Sequence, residues 1–194
     1  MKFRITLILI SLVLSSQLYS QNITVIGLKG GANISTLGPT GAGYTAKVGY
    51  NLGVYSASRF FQELGVQMEI LMSEQGARSE YFSDLKLNYT YLAVPLFANI
   101  YFIESAAIEG GLQMGYLLNA TQVDAGDKYN ISNDVKNFDF SGIIGINYSK
   151  PYGSVGLRYV LGINNTTDAS RSAEIRYTNK VLQLYIAKTL YSSE

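Results

Sequence analysis

Residues 47–73 read KVGYNLGVYSASRFFQELGVQMEILMS, and this stretch decides the fold. Val48, Tyr50, Leu52 and Val54 alternate with Lys47, Gly49, Asn51, Gly53 and Tyr55. After a break, Leu64, Val66, Met68, Ile70 and Met72 alternate with Glu63, Gly65, Gln67 and Glu69. A period of two places successive side chains on opposite faces of an extended chain, so both segments read as β-strands. Their adjacency predicts a hairpin, with the turn at Ala57, Ser58 and Arg59.

The same alternation recurs on both sides of the hairpin. Upstream, Ile26, Leu28, Ala32 and Ile34 share one face against Gly27, Lys29, Gly31 and Asn33. Downstream, apolar faces recur at Leu92 to Ile100, Ile108 to Leu118, Phe138 to Tyr148, Val155 to Ile163, and Leu182 to Ile186. Pro95 lacks a ladder donor, which predicts a bulge or a missing hydrogen bond there. The count is eight strands of about ten residues, the length that crosses a bilayer when tilted. Polar segments at Thr36 to Thr45, Glu74 to Asn88, Thr121 to Lys136 and Asn164 to Asn179 alternate with short turns. Long loops at one rim and tight turns at the other characterise an eight-stranded antiparallel up-and-down transmembrane β-barrel. Gly38, Gly41 and Gly43 do not make a phosphate loop, since no Lys-Ser or Lys-Thr pair follows them.

The first twenty residues have the form of a secretory leader: basic Lys2 and Arg4, an apolar core from Ile5 to Leu14, and a small residue, Ser20, before Gln21. Residues 1–20 are therefore expected to be a cleaved signal peptide and 21–194 the barrel domain. Cleavage between Ser20 and Gln21 takes the formal charge from +1 to −1. A near-neutral exported chain lacks the basic footprint of a nucleic-acid binder, and no such partner is expected.

The non-apolar face is rich in Gly, Asn, Gln and Ser and carries few charges, which suits a crowded interior. A water-soluble ligand-binding barrel would turn its apolar face inward and cover its outside with Lys and Glu. That alternative fits this face composition less well than a barrel whose Leu and Val meet lipid. Aromatics near strand ends suit the two membrane interfaces: Phe60, Phe61, Phe102, Tyr148 and Tyr152 by short turns, and Tyr44, Tyr89, Tyr91, Phe138 and Phe140 by long loops.

Several short motifs occur in order: Gly27-Leu28-Lys29-Gly30-Gly31-Ala32-Asn33, Glu69-Ile70-Leu71-Met72 with Gly76, Tyr91-Leu92-Ala93-Val94-Pro95-Leu96, and Leu157-Arg158-Tyr159 with Gly162. In these the chain resembles the Bacteroidetes-type outer-membrane β-barrel family, also called porin-like or PorT-like, from Val25 to Leu190. The resemblance implies an outer-membrane location and insertion by the barrel-assembly machinery; eight strands that begin after the leader leave both termini on the short-turn, periplasmic side. It also raises the reading of an accessory subunit in a secretion or assembly complex. The family's inward acid before Val-Pro-Leu is Ala93 here, and its terminal aromatic is displaced to Tyr191.

The sequence contains neither His nor Cys, so the common metal sites and nucleophile–base pairs cannot be assembled. No catalytic, cofactor-binding or metal-binding residue is expected. The inward positions assign a lumen charge network to Lys29, Lys47, Glu63, Glu69, Glu109, Asp139 and Arg158, with acids and bases interleaved so that buried charges pair. Lys47 is expected to face Glu69 across the first hairpin. An interior of eight strands is filled by side chains. The leading expectation is a non-enzymatic barrel embedded in outer-membrane lipid, acting through its loops or as a structural membrane protein, with any protein partner met at the loops or the periplasmic turns.

Overall fold

A computed structural model describes residues 23–39, 43–82, 84–166 and 177–193. The expected leader, with Ser20 and Gln21, lies outside them, as does most of the Asn164 to Asn179 loop. Ten strands occur among the described residues: β1 (Ile23–Gly38), β2 (Tyr44–Thr45), β3 (Lys47–Arg59), β4 (Leu64–Ser79), β5 (Lys86–Ile103), β6 (Ala106–Asp124), β7 (Asp127–Asn130), β8 (Phe138–Lys150), β9 (Gly153–Gly162) and β10 (Thr178–Ser192). Short β2 and β7 hang on β4 and β6. The other eight pair antiparallel with their sequence neighbours, and β1 pairs with β10 from Val25↔Ser192 to Gly38↔Thr178. That last ladder closes the sheet into an up-and-down barrel, so the ring itself keeps no open edge.

Face follows parity as the alternation requires. Leu28, Leu52, Leu96, Leu112, Ile144, Leu157 and Leu184 stand exposed on the outside. Lys29, Asn33, Glu69, Phe97, Glu109, Arg158, Gln183 and Tyr185 are buried within. An apolar exterior around a polar interior is the inverse of a soluble ligand-binding barrel. Large inward rings fit because small residues oppose them: Tyr185 pairs with Gly156, where an added Cβ would overlap its ring, and Tyr55 pairs with Gly27 in the same manner.

Several expectations about boundaries need correction. Ala57, Ser58 and Arg59 are still in β3, paired with Gln67, Val66 and Gly65, and the first hairpin turns at residues 60–63. Phe60 N–H donates to Leu64 O at 3.0 Å across that turn. Strand pairing gained by Ala57 and Ser58 outweighs their mild turn preference, and Ser58 Oγ lies 3.1 Å from Thr24 Oγ1 of β1. Glu63 is therefore an exposed turn residue outside the lumen. Most strands exceed ten residues, β6 reaching 19, so Glu74 belongs to β4, which runs to Ser79, and β5 starts at Lys86. Gly76, with φ +133°, lets β4 continue through a conformation that side-chain-bearing residues rarely adopt.

At Pro95 the β5–β6 register runs on without a bulge, with Pro95↔Gln113 paired. The β4–β5 ladder is interrupted between Met68↔Leu96 and Leu71↔Ala93, beside Pro95, as its missing N–H requires. Tyr89 and Tyr91 are buried inside the barrel and do not belong to the interfacial belt. Tyr148, Phe138 and Phe140 do face outward.

Leu96, 54% exposed in mid-strand, is placed against lipid. Leu96→Arg should lower stability by about 2–4 kcal/mol in urea-dependent unfolding from lipid vesicles. Inward Gln113 has an Oε1 without a hydrogen-bond partner among the described residues, so Gln113→Leu should cost less than about 1 kcal/mol. Equal losses at the two positions would reverse the face assignment.

Candidate functional site

The barrel interior brings four ionisable side chains from four strands into one cluster. Lys29 (β1), Glu69 (β4), Glu109 (β6) and Arg158 (β9) have relative exposures of 0–1%. Arg158 grips Glu69 with two donors, Nη1 to Oε2 and Nη2 to Oε1, both at 3.0 Å. Its Nε donates to Glu109 Oε2 at 2.8 Å, and Lys29 Nζ donates to Glu69 Oε1 at 2.7 Å. Two cations thus meet two anions. Neutral donors add to the two Oε1 atoms: Gln67 Nε2 donates to Glu69 Oε1, and Asn147 Nδ2 and the Tyr185 hydroxyl donate to Glu109 Oε1. Aromatic faces complete the shell, with Lys29 Nζ 3.4 Å from the Tyr185 ring centroid and the Arg158 guanidinium 4.3 Å from that of Phe97. Gly145 opposes Arg158, and a Cβ there would come within 2.8 Å of Glu109 Oε2.

Nearer the long-loop rim an apolar cluster fills the interior, with Asp139 and Asn179 buried beside it. Leu37, Ala77, Leu87, Tyr89, Tyr91, Leu117, Ala120 and Val135 form one buried cluster, with Tyr44, Ile131 and Tyr177 packed against it. Tyr44 and Tyr177 meet edge to face at 5.8 Å. A charged brace and an apolar cap therefore both fill the lumen. The sequence matches the protein family described as "Outer membrane protein beta-barrel domain" over residues 16–168, more than half of the chain. The chain belongs to this family.

Solved outer-membrane barrels share the fold. The attachment invasion locus protein Ail of Yersinia pestis matches with a TM-score of 0.53 at 14% identity, covering 87% of this chain and 99% of that one. Neisserial surface protein A (NspA) matches with a TM-score of 0.53 at 9% identity, covering 84% of this chain and 96% of that one. At such identities the likeness speaks for the fold alone. No curated protein sequence matches the chain.

Of the seven charged residues assigned to the lumen, this family member's structure brings Lys29, Glu69, Glu109 and Arg158 together. Lys47 does not reach Glu69; it pairs with Glu74, further along β4, because the hairpin turn lies beyond Ser58. Glu69 stands opposite Tyr55 instead. Asp139 is buried inward but apart, accepting from Ser141 Oγ at 2.6 Å and Asn179 Nδ2 at 2.9 Å, with no ion-pair partner among the described residues. Glu63 sits at the short-turn rim. Sequence reading put Glu74 in a loop and Tyr89 and Tyr91 at the membrane interface, while Tyr55 was read as inward and is buried. Extending the parity of Ala93 upstream along β5 already points Tyr91 and Tyr89 inward.

Arg158→Met leaves two buried carboxylates short of a partner and should destabilise the barrel by about 3–5 kcal/mol. Adding Glu69→Gln should recover part of that loss, a coupling of about 1 kcal/mol or more in the double-mutant cycle. Lys47→Met combined with Glu69→Gln should be additive within about 0.5 kcal/mol, since Lys47 serves Glu74. Coupling between Lys47 and Glu69, with none between Arg158 and Glu69, would contradict the arrangement.

Proposed function

We propose that this protein is a non-enzymatic integral outer-membrane barrel that acts through its long-loop rim and does not conduct solutes through its lumen. The observation carrying the reading is the doubly filled interior, the buried Arg158 cluster under the apolar cap. With the lumen occupied, the surfaces left to do work are the rims. At the long-loop rim, β4, β5 and β6 continue past the lipid-facing band into a small sheet. Its flank is β7, whose Asp127, Lys128, Tyr129 and Asn130 are all exposed. Such a flank suits contact with an extracellular macromolecule. Outer-membrane lipid surrounds the band, and the assembly machinery inserts it with both termini periplasmic after removal of the leader.

A second reading, an accessory subunit of a secretion or assembly complex, draws on a different observation. At the short-turn rim, Phe60, Phe61, Phe102, Ile103, Glu63 and Glu104 line a cavity of about 640 Å³ open to that side. Its mixture of exposed aromatics and carboxylates suits a periplasmic protein.

One experiment separates the readings. A photo-crosslinking residue is placed at exposed Tyr129 or at exposed Phe61 in intact cells. The leading reading predicts protein or glycan adducts at Tyr129 from outside the cell. Adducts confined to Phe61 would overturn it in favour of the accessory subunit.

A further inference from the structure

The outer wall of the barrel carries a groove at the long-loop rim that the reading above does not use. It has a volume of about 580 Å³, within the usual range of ligand sites of ~300–1,000 Å³. Its floor is apolar: Phe138 and Phe140 stand outward at the start of β8, and Tyr116 packs edge-on against Phe138 at 5.3 Å. Its upper wall is polar, with Asn133, Lys136 and Asn137.

The groove is held rigidly. Asn164 clips its wall to β8, with Nδ2 donating to Phe138 O and Oδ1 accepting from Phe140 N–H, both at 2.7 Å. The Lys136 N–H donates to Thr166 O at 2.8 Å, and Leu117 N–H donates to Asn137 O at 2.8 Å. Lys136 has no ion-pair partner among the described residues, in contrast to Lys29 and Lys47. Asp134, the acid of the same segment, does not line the groove and has an interaction of its own.

We propose that this groove binds the phosphorylated headgroup of a lipid in the surrounding leaflet. A lysine at the boundary of an apolar surface keeps its stem along that surface and its ammonium in the headgroup layer. There it serves as a point charge for phosphate. The amides of Asn133 and Asn137 add donors to phosphate or sugar oxygens, and the two phenylalanine faces take the first methylenes of the acyl chains. Continuity of the floor with the lipid-facing wall selects a membrane lipid over a free saccharide or peptide, because a water-borne ligand would leave both rings against lipid unused.

The proposal rests on the membrane-embedded reading, which heat-dependent gel mobility reports on separately in the same samples. Protein folded into detergent is mixed with bisphosphorylated lipid A, its dephosphorylated form or phosphatidylcholine, and bound lipid is counted by native mass spectrometry. The folded protein should retain bisphosphorylated lipid A in preference to the other two. Lys136→Gln should lower that retention about fivefold, while Lys128→Gln, an equal charge loss on exposed β7, should leave it unchanged. Gel mobility unaltered in both variants ties the loss to the groove. Equal retention of phosphorylated and dephosphorylated lipid, or equal loss in both lysine variants, would overturn the proposal. So would a soluble sulfated saccharide binding in a Lys136-dependent manner where lipid A does not.

Discussion

A guanidinium taken wholly out of water must be matched by negative charge within hydrogen-bond reach, and Arg158 meets that requirement by crossing the barrel. Around the ring, β9 reaches β4 through β10, β1 and β3 one way and through β8, β6 and β5 the other. The two strands therefore stand diametrically opposed. The paired bonds from Arg158 to Glu69 span the lumen, the bond to Glu109 ties in a third strand, and Lys29 a fourth. Each partner lost leaves another charge stranded, so the wall cannot spread at this level without large cost. The glycines opposite Arg158 and Tyr185 are what allow side chains of this size to lie across so narrow an interior.

The outside obeys a different constraint. Lipid cannot hydrogen-bond backbone groups, so every strand must be paired within the chain, and the β1–β10 ladder satisfies this by closing the ring. Once closed, parity alone divides the chain between lipid and lumen. Short turns at one rim need few residues, whereas β4, β5 and β6 run on beyond the other rim, where water can again satisfy them. The apolar cluster of Tyr89, Tyr91 and their neighbours seals the lumen below that extension.

Much of this was legible in the sequence because a period of two is a strong local signal that does not depend on where strands begin or end. Face assignments inside the strands therefore survived errors in boundary, whereas Glu63, read as the end of a strand, lies in the turn. Register did not survive them, because it depends on which residues make the turn, and Ala57 and Ser58 resemble turn residues while pairing as strand. Displacing the turn to residues 60–63 moved Lys47 from Glu69 to Glu74 and put Glu63 outside. The Arg158 cluster itself lay beyond sequence reach as a geometry. Parity names inward charges, but only closure of the ring tells which strands face each other across it. Asp139 illustrates the limit, since its inward parity was readable and its neutral partners, Ser141 and Asn179, were not.

Conductance tests the central claim most directly, since the brace and the cap are both statements about what can pass through the lumen. Protein folded into planar lipid bilayers should give no steady single-channel current in concentrated salt, because the Arg158 cluster and the apolar cluster each fill the lumen at their own level. Large, long-lived open-channel currents from the unmutated protein would contradict the account.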